Sequence, residues 1–255
     1  MIKRKNGLRI ICMILVFIQC FCIMAPNVEA LGNLDFSSAM MTGLINDSGQ
    51  NVALGINERR ITLLDNQNKR VENFVLEVDL KSFPNTSIVT GSYKDGTGYG
   101  MTTVAEQAKA AIDNGKPVVA AVNADYYNMA TGEPIGCFVK DGAVINELPS
   151  NRCYFGVRKD GTPVIGDYNS YMAERAQLQE AVGGLCKLVD KGVVIDYTGS
   201  DETYYTTKQP RTAVGIKADG SVVFMVSDGR QEPYSAGLTM YELGLLMKDL
   251  GCEIA

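Results

Sequence analysis

No histidine occurs anywhere in these 255 residues. That absence removes every Ser-His-Asp or Cys-His mechanism from the chain, and every histidine-ligated metal. Acid–base work must fall to Asp, Glu, Tyr or Lys. Cysteine pairs at zinc spacing are missing too, so no metal ligands are assigned and no cofactor is named. Basic charge is scarce once residues 1–30 are set aside: 20 Lys and Arg remain against 28 Asp and Glu, a formal charge of −8. An acidic surface argues against nucleic acid or an anionic membrane as partner. Beyond the first thirty residues no apolar run is long enough to span a bilayer.

What is present begins with a targeting pattern. Lys3, Arg4, Lys5 and Arg9 form a positive n-region, Ile10 to Ala25 an apolar stretch, and Val28-Glu29-Ala30 a small-residue cleavage site. The apolar stretch is about 16 residues, short of the roughly 20 that span a bilayer. Residues 1–30 are therefore expected to be a cleaved signal peptide, with an uncleaved anchor as the alternative. Either way the chain is exported, to the cell envelope or beyond it, and has no membrane contact past that segment. Four cysteines follow it: Cys137, Cys153, Cys186 and Cys252. They allow three pairings. Buried free thiols are the expected state in a domain this large, although export would favour a disulfide.

Residues 31–70 read as a leader with the first short strands, and 71–255 as one domain. Leu31 to Gly49 is weakly patterned and reads as a mobile leader. Asn73 to Leu80 alternates apolar and acidic residues, the pattern of a half-buried strand. Ser92 to Gly100 is glycine-rich but lacks the Lys-Ser/Thr ending of a phosphate cradle, so it reads as a surface loop. Thr103 and Glu106 have capping-box spacing ahead of a helical stripe that Asn114-Gly115 closes. Val118 to Val122 reads as a central strand. It empties into Asn123-Ala124-Asp125-Tyr126-Tyr127-Asn128, polar groups at a strand exit. Lys140-Asp141-Gly142 and Lys159-Asp160-Gly161 mark two hairpins. Tyr171 to Glu180 reads as a short helix, followed by strands at Leu185 to Val189 and Val193 to Tyr197.

The stretch from Arg211 to Ala255 is the clearest. An apolar run at Ala213–Ile216, an Asp219-Gly220 turn and a second run at Val222–Val226 predict a hairpin. It ends in Ser227-Asp228-Gly229-Arg230, a carboxylate beside a guanidinium at a strand end. Thr239 and Glu242 form a second capping box, and Gly251 stops the helix. Many hairpins with a few helices predict an α+β fold on a mixed, largely antiparallel sheet.

Four blocks in order, AVNADYYNMATGEPIGCFVKDGAVI from Ala121, AVGGLCKLVDKG from Ala181, RTAVGIKADGSVVFMVSDGR from Arg211 and GLTMYELGLLMKDLGC from Gly237, resemble the phosphodiester glycosidase family. The resemblance covers roughly Phe74 to Ala255. The family pattern continues Ala-Leu-Asn-Leu-Asp-Gly-Gly-Gly-Ser, whereas this sequence stops at Cys252-Glu253-Ile254-Ala255. The resemblance thus implies an incomplete member that lacks one wall of its site. It implies release of a sugar, such as N-acetylglucosamine, from a glycan or other sugar-1-phosphodiester. A phosphate leaving group, with a second pKa near 6, needs its charge held more than it needs a proton. Arg211 and Arg230 suit that task. Asp125 and Asp228 are the candidate catalytic carboxylates, with Asn123, Tyr127 and Glu133 as substrate contacts. Asp125, Arg211, Asp228 and Arg230 are expected to converge on one cleft. The competing reading is a non-catalytic glycan-binding or envelope exopolysaccharide-associated protein.

Overall fold

The computed structural model describes the backbone of Leu8–Ile11 and all of residues 41–255. In chain order the strands are β1 (Leu8–Ile11), β2 (Met41–Ala53), β3 (Ile56–Asp65), β4 (Arg70–Val78), β5 (Thr86–Val89), β6 (Val118–Ala121), β7 (Phe138–Lys140) and β8 (Ala143–Asn146). They continue with β9 (Cys153–Arg158), β10 (Pro163–Asp167), β11 (Leu178–Gly184), β12 (Val189–Asp190), β13 (Val193–Val194), β14 (Arg211–Lys217), β15 (Val222–Ser227) and β16 (Cys252–Ile254). The helices are α1 (Val104–Asp113), α2 (Tyr168–Glu174), α3 (Thr203–Thr206) and α4 (Met240–Asp249). The fold is α+β and mostly antiparallel, as the hairpin count predicts. The chain divides into two compact units: residues 1–23 with 80–186, and residues 24–79 with 187–255.

The first unit holds a five-stranded antiparallel sheet, β10-β9-β11-β7-β8, and a three-stranded parallel one, β5-β1-β6. Both predicted Asp-Gly hairpins form, as β7–β8 and β9–β10. Tyr154, Tyr171, Leu178 and Val139 close the core of the larger sheet. Helix α1 starts on the predicted Thr103–Glu106 capping box and packs Val104, Ala108 and Ala111 against Val89 and Ala121. The glycine-rich loop is anchored rather than loose. Lys116 and Lys140 both reach Asp95, at 2.7 and 3.0 Å, and Lys140 also donates to the Thr90 carbonyl. Asp95 of the loop is thus tied to lysines outside it.

Two expectations meet corrections here. Val118–Ala121 is an outer strand of its sheet, not a central one. The predicted helix to Glu180 ends at Glu174, with one 3-10 turn after it, and Leu178–Gly184 is a strand. Glu180 is drawn into the sheet because its buried carboxylate accepts the Thr90 and Asp141 N–H groups at 2.9 and 3.3 Å. The expected signal segment lies outside the described residues except for Leu8–Ile11, which runs parallel between β5 and β6.

The second unit is built on a six-stranded sheet, β16-β14-β15-β4-β3-β2. Residues 41–49, read as leader, belong to its long edge strand β2, paired to β3 over almost its whole length. Most of its side chains are exposed, so it has no apolar alternation for the sequence to display. The predicted 211–227 hairpin forms in the register Arg211↔Ser227 to Ile216↔Val222. One face of the sheet is covered by α4, which starts on the predicted Thr239–Glu242 box. Gly215 is required there: a Cβ would sit 2.5 Å from the Cys252 sulfur and 2.8 Å from the Met247 methyl. Cys137 and Cys252 are buried free thiols.

Candidate functional site

In the second unit the chemistry gathers at one end of the sheet face opposite α4. Opposed residues in a ladder project to the same side, and neighbours along a strand alternate. The pairs Arg60↔Phe74, Thr62↔Glu72 and Val226↔Phe74 therefore set Arg60, Thr62, Arg70, Glu72, Phe74 and Val226 on one face. Asp228, one residue past the strand, follows Val226 on that side, and its N–H donates to the Glu72 carbonyl at 3.0 Å.

Glu72 organises this end. Its side chain is fully buried, whereas those of Arg60 and Arg70 are 46% and 42% exposed. One carboxylate oxygen accepts from Arg60 Nε (3.0 Å) and Thr62 Oγ1 (3.1 Å), the other from Arg70 Nε (2.6 Å). Arg60 and Arg70 each add a second contact through Nη2. Burial alone would raise the carboxyl; the donors from Arg70, Arg60 and Thr62 outweigh it and hold Glu72 below its ordinary 4.5. Each arginine thus offers one edge to Glu72, in the planar fork that guanidinium favours. Tyr234 stands between the group and Asp228: burial and then the charge of Asp228 raise its hydroxyl, that of Arg60 lowers it, and Arg70 lies 5.9 Å from its ring. With its pKa raised, the Tyr234 hydroxyl stays protonated at neutral pH. Ser235 ties the loop down: its Oγ accepts from Glu72 N (3.1 Å) and donates to the Asp228 carbonyl (2.7 Å).

The two predicted arginines behave differently. Arg230 is exposed, has φ of 59°, and its Nε is held by the Gln209 side chain. Arg211 sits directly across from Ser227, so its backbone neighbours Asp228. Its side chain, however, goes to the α4 face. There it is buried and donates to the carbonyls of Leu238 (3.0 Å), Thr207 (3.1 Å) and Tyr204. Arg211 thus braces the segments around the site, while Asp228 occupies the other side of the sheet.

In the first unit Asp125 is held with unusual closeness. It adopts φ of 46° in the loop that follows β6, a conformation that Asp tolerates better than most residues. Its Oδ1 accepts from Tyr126 N (2.7 Å) and its Oδ2 from Gly136 N (2.6 Å). A Cβ on Gly136 or on Gly183 would lie 2.5 Å from Oδ2, so both glycines are needed to make room for the carboxylate. Burial raises the Asp125 carboxyl above its ordinary 3.8, against those two N–H groups and the charge of Arg152. Tyr126, Tyr127, Asn123 and Glu133 are exposed on the same loop, and Tyr127 bridges to Pro134.

Sequence reasoning missed Arg60, Arg70, Glu72, Tyr234 and Arg152. The first three could have been found by folding Ile56–Val78 about the Gln67-Asn68 turn, which pairs position 62 with 72. Tyr234 and Arg152 sit in loops, and no sequence signal marks them.

A family model for phosphodiester glycosidases matches residues 116–255. The N-acetylglucosamine-1-phosphodiester alpha-N-acetylglucosaminidase of Mus musculus is 26% identical over 147 residues, covering 50% of this chain and 27% of that protein. Its Bos taurus counterpart is 27% identical over 151 residues, covering 51% and 28%. The chain therefore spans about a quarter of the length of these curated relatives. Among solved structures, the zebrafish N-acetylglucosamine-1-phosphodiester alpha-N-acetylglucosaminidase catalytic domain, auto-inhibited by its pro-peptide, aligns with a TM-score of 0.56 at 19% identity. That alignment covers 77% of this chain and 67% of that one. A hypothetical protein from Synechocystis aligns at 0.58 and 11% identity, covering 82% and 57%. Both likenesses concern the fold. Matched by the family model over more than half its length, the chain belongs to the phosphodiester glycosidase family.

Proposed function

We propose that this protein is an exported hydrolase of glycosyl-1-phosphodiesters, with N-acetylglucosamine the first sugar to test. Family membership supports the reaction class, and the activity named for the mouse and bovine relatives supports the sugar. The observation that carries the reading is the cluster around Asp228, where a carboxylate and a tyrosine hydroxyl adjoin two outward-facing arginines pinned by one buried glutamate. Water adds to the anomeric carbon, the C1–O bond breaks, and the phosphate leaves as a monoester. Asp228 takes the proton of the attacking water or steadies the oxocarbenium-like centre. Arg60, Arg70 and the exposed Arg230 hold the charge that develops on the phosphate. Arg211 braces the surrounding loops, and Asp125 stands as a second candidate carboxylate in the first unit.

Steady-state kinetics on an N-acetylglucosamine-1-phosphodiester tests this. Asp228→Asn should lower kcat/KM at least 100-fold. Arg70→Gln and Arg230→Ala should weaken turnover of the phosphodiester while leaving an aryl glycoside, which has no phosphate, unaffected. Equal losses on both substrates would refute the phosphate role. Saturable sugar binding without any turnover would favour the glycan-binding alternative, for which the exposed Tyr126 and Tyr127 rings are the supporting observation.

A further inference from the structure

Arg152 lies on none of the predicted motifs, yet its surroundings are those of a ligand contact. It precedes β9, after a turn closed by its own N–H to the Pro149 carbonyl at 3.1 Å. The side chain is only 15% exposed. Its guanidinium carbon stands 5.3 Å from the centre of the Tyr126 ring. The nearest carboxylate oxygen, Asp125 Oδ1, is 4.0 Å from Nη1, beyond hydrogen-bond range. Asp125 is in no position to come closer, because both its oxygens are held by backbone N–H groups and its room is bounded by Gly136 and Gly183. Among the described residues, Nη1 is therefore buried with no hydrogen-bond partner. A buried guanidinium nitrogen is rarely left so unless something outside the chain completes it.

Aromatic surface adjoins the unfilled donor. Tyr126 has one side against Arg152 and is 50% exposed, and Tyr127 beside it is 44% exposed. A flat ring next to a planar cation suits a sugar that carries an oxyanion: the ring covers the sugar's apolar face, and the guanidinium takes the anion.

We propose that Arg152 and Tyr126 form an anionic-sugar subsite within the first unit, in which Nη1 of Arg152 binds a phosphate or carboxylate substituent of the glycan. The oxyanion part stands on the geometry alone; its assignment to a sugar rests on the glycosidase reading. Turnover is not required for the subsite to bind, so its failure and the failure of the hydrolase reading are separable.

Calorimetric titration tests it, in the full chain carrying Arg60→Gln, Arg70→Gln and Arg230→Ala so that the second-unit arginines assigned to phosphate contribute nothing. The probes are N-acetylglucosamine 1-phosphate, glucuronic acid and neutral N-acetylglucosamine. At least one of the two charged sugars should bind more tightly than the neutral one, and which one identifies the substituent. Adding Arg152→Gln should weaken that charged sugar at least 10-fold and shift the neutral one less than 2-fold. Arg152→Lys, which keeps the charge without the fork, should fall between. Tyr126→Leu should weaken the charged and neutral sugars alike, and it provides a second test should Arg152→Gln fold poorly. Charged sugars bound no better than the neutral one, or bound equally with and without Arg152, would overturn the proposal. So would an equal loss for all three probes in Arg152→Gln.

Discussion

Replacing Glu72 with glutamine is the sharpest test of how the second-unit cluster is held. The side chain keeps its shape but loses its charge, and it presents an amide NH₂ where Arg60 or Arg70 now donates. Removing one member of a buried ion pair typically costs about 3–5 kcal/mol. Here both arginines are nearly half exposed, so water screens them and the lower part of the scale applies. Charge-assisted bonds exceed neutral ones by roughly 1 kcal/mol each, and Gln can still accept from some donors. The expected loss is about 2 kcal/mol at neutral pH, or roughly 4–8 °C in Tm for a protein of this size. The dependence on pH fixes the cause. The folded-state pKa of Glu72 is depressed below 4.5, so its stabilisation is complete above that value and disappears as pH falls through the folded pKa. Urea unfolding of wild type and Glu72→Gln should therefore show the full gap at about pH 7 and a shrinking one in acid, where both side chains are neutral. A gap that stays constant between those conditions, or one under about 0.5 kcal/mol at neutral pH, would refute the argument.

Two further outcomes follow from the structure. Gly183→Ala places a Cβ 2.5 Å from the Asp125 carboxylate and from the Gly136 Cα; it should cost about 1–3 kcal/mol, and an unchanged thermal melt would show that the glycine cradle around Asp125 is not required. Cleavage after Ala30 predicts a secreted product that begins at Leu31. Because β1 separates β5 and β6, backbone amides of Thr86–Val89 should exchange faster in that product than in the unprocessed chain, whereas a secreted protein still carrying Lys3 to Arg9 would refute cleavage.

Local chemistry was written plainly in the sequence wherever a few adjacent residues decide the outcome. The Asp-Gly turns specified three hairpins because only residues that tolerate positive φ fit there. The two Thr-x-x-Glu boxes placed the starts of α1 and α4 because the caps satisfy orphan N–H groups locally. The missing histidines excluded whole classes of mechanism without any fold at all. Asp125, Asp228 and Arg230 were legible as candidates because strand exits and family blocks coincide at them. Ladder register and burial decided the rest. Arg211 looked like a phosphate ligand, but its place in the ladder turns it toward α4, where three carbonyls take it. Glu72, unremarkable in sequence, became the hub because Thr62 lies across from it and the flanking arginines fold over it. Residues 41–49 gave no strand signal because an exposed edge strand needs no apolar alternation, only a partner to bond with. Arg152 acquired a meaning only when the turn after Leu148 set it between Tyr126 and a carboxylate that cannot reach it. Such placements depend on contacts between residues far apart in the chain, which no local pattern encodes.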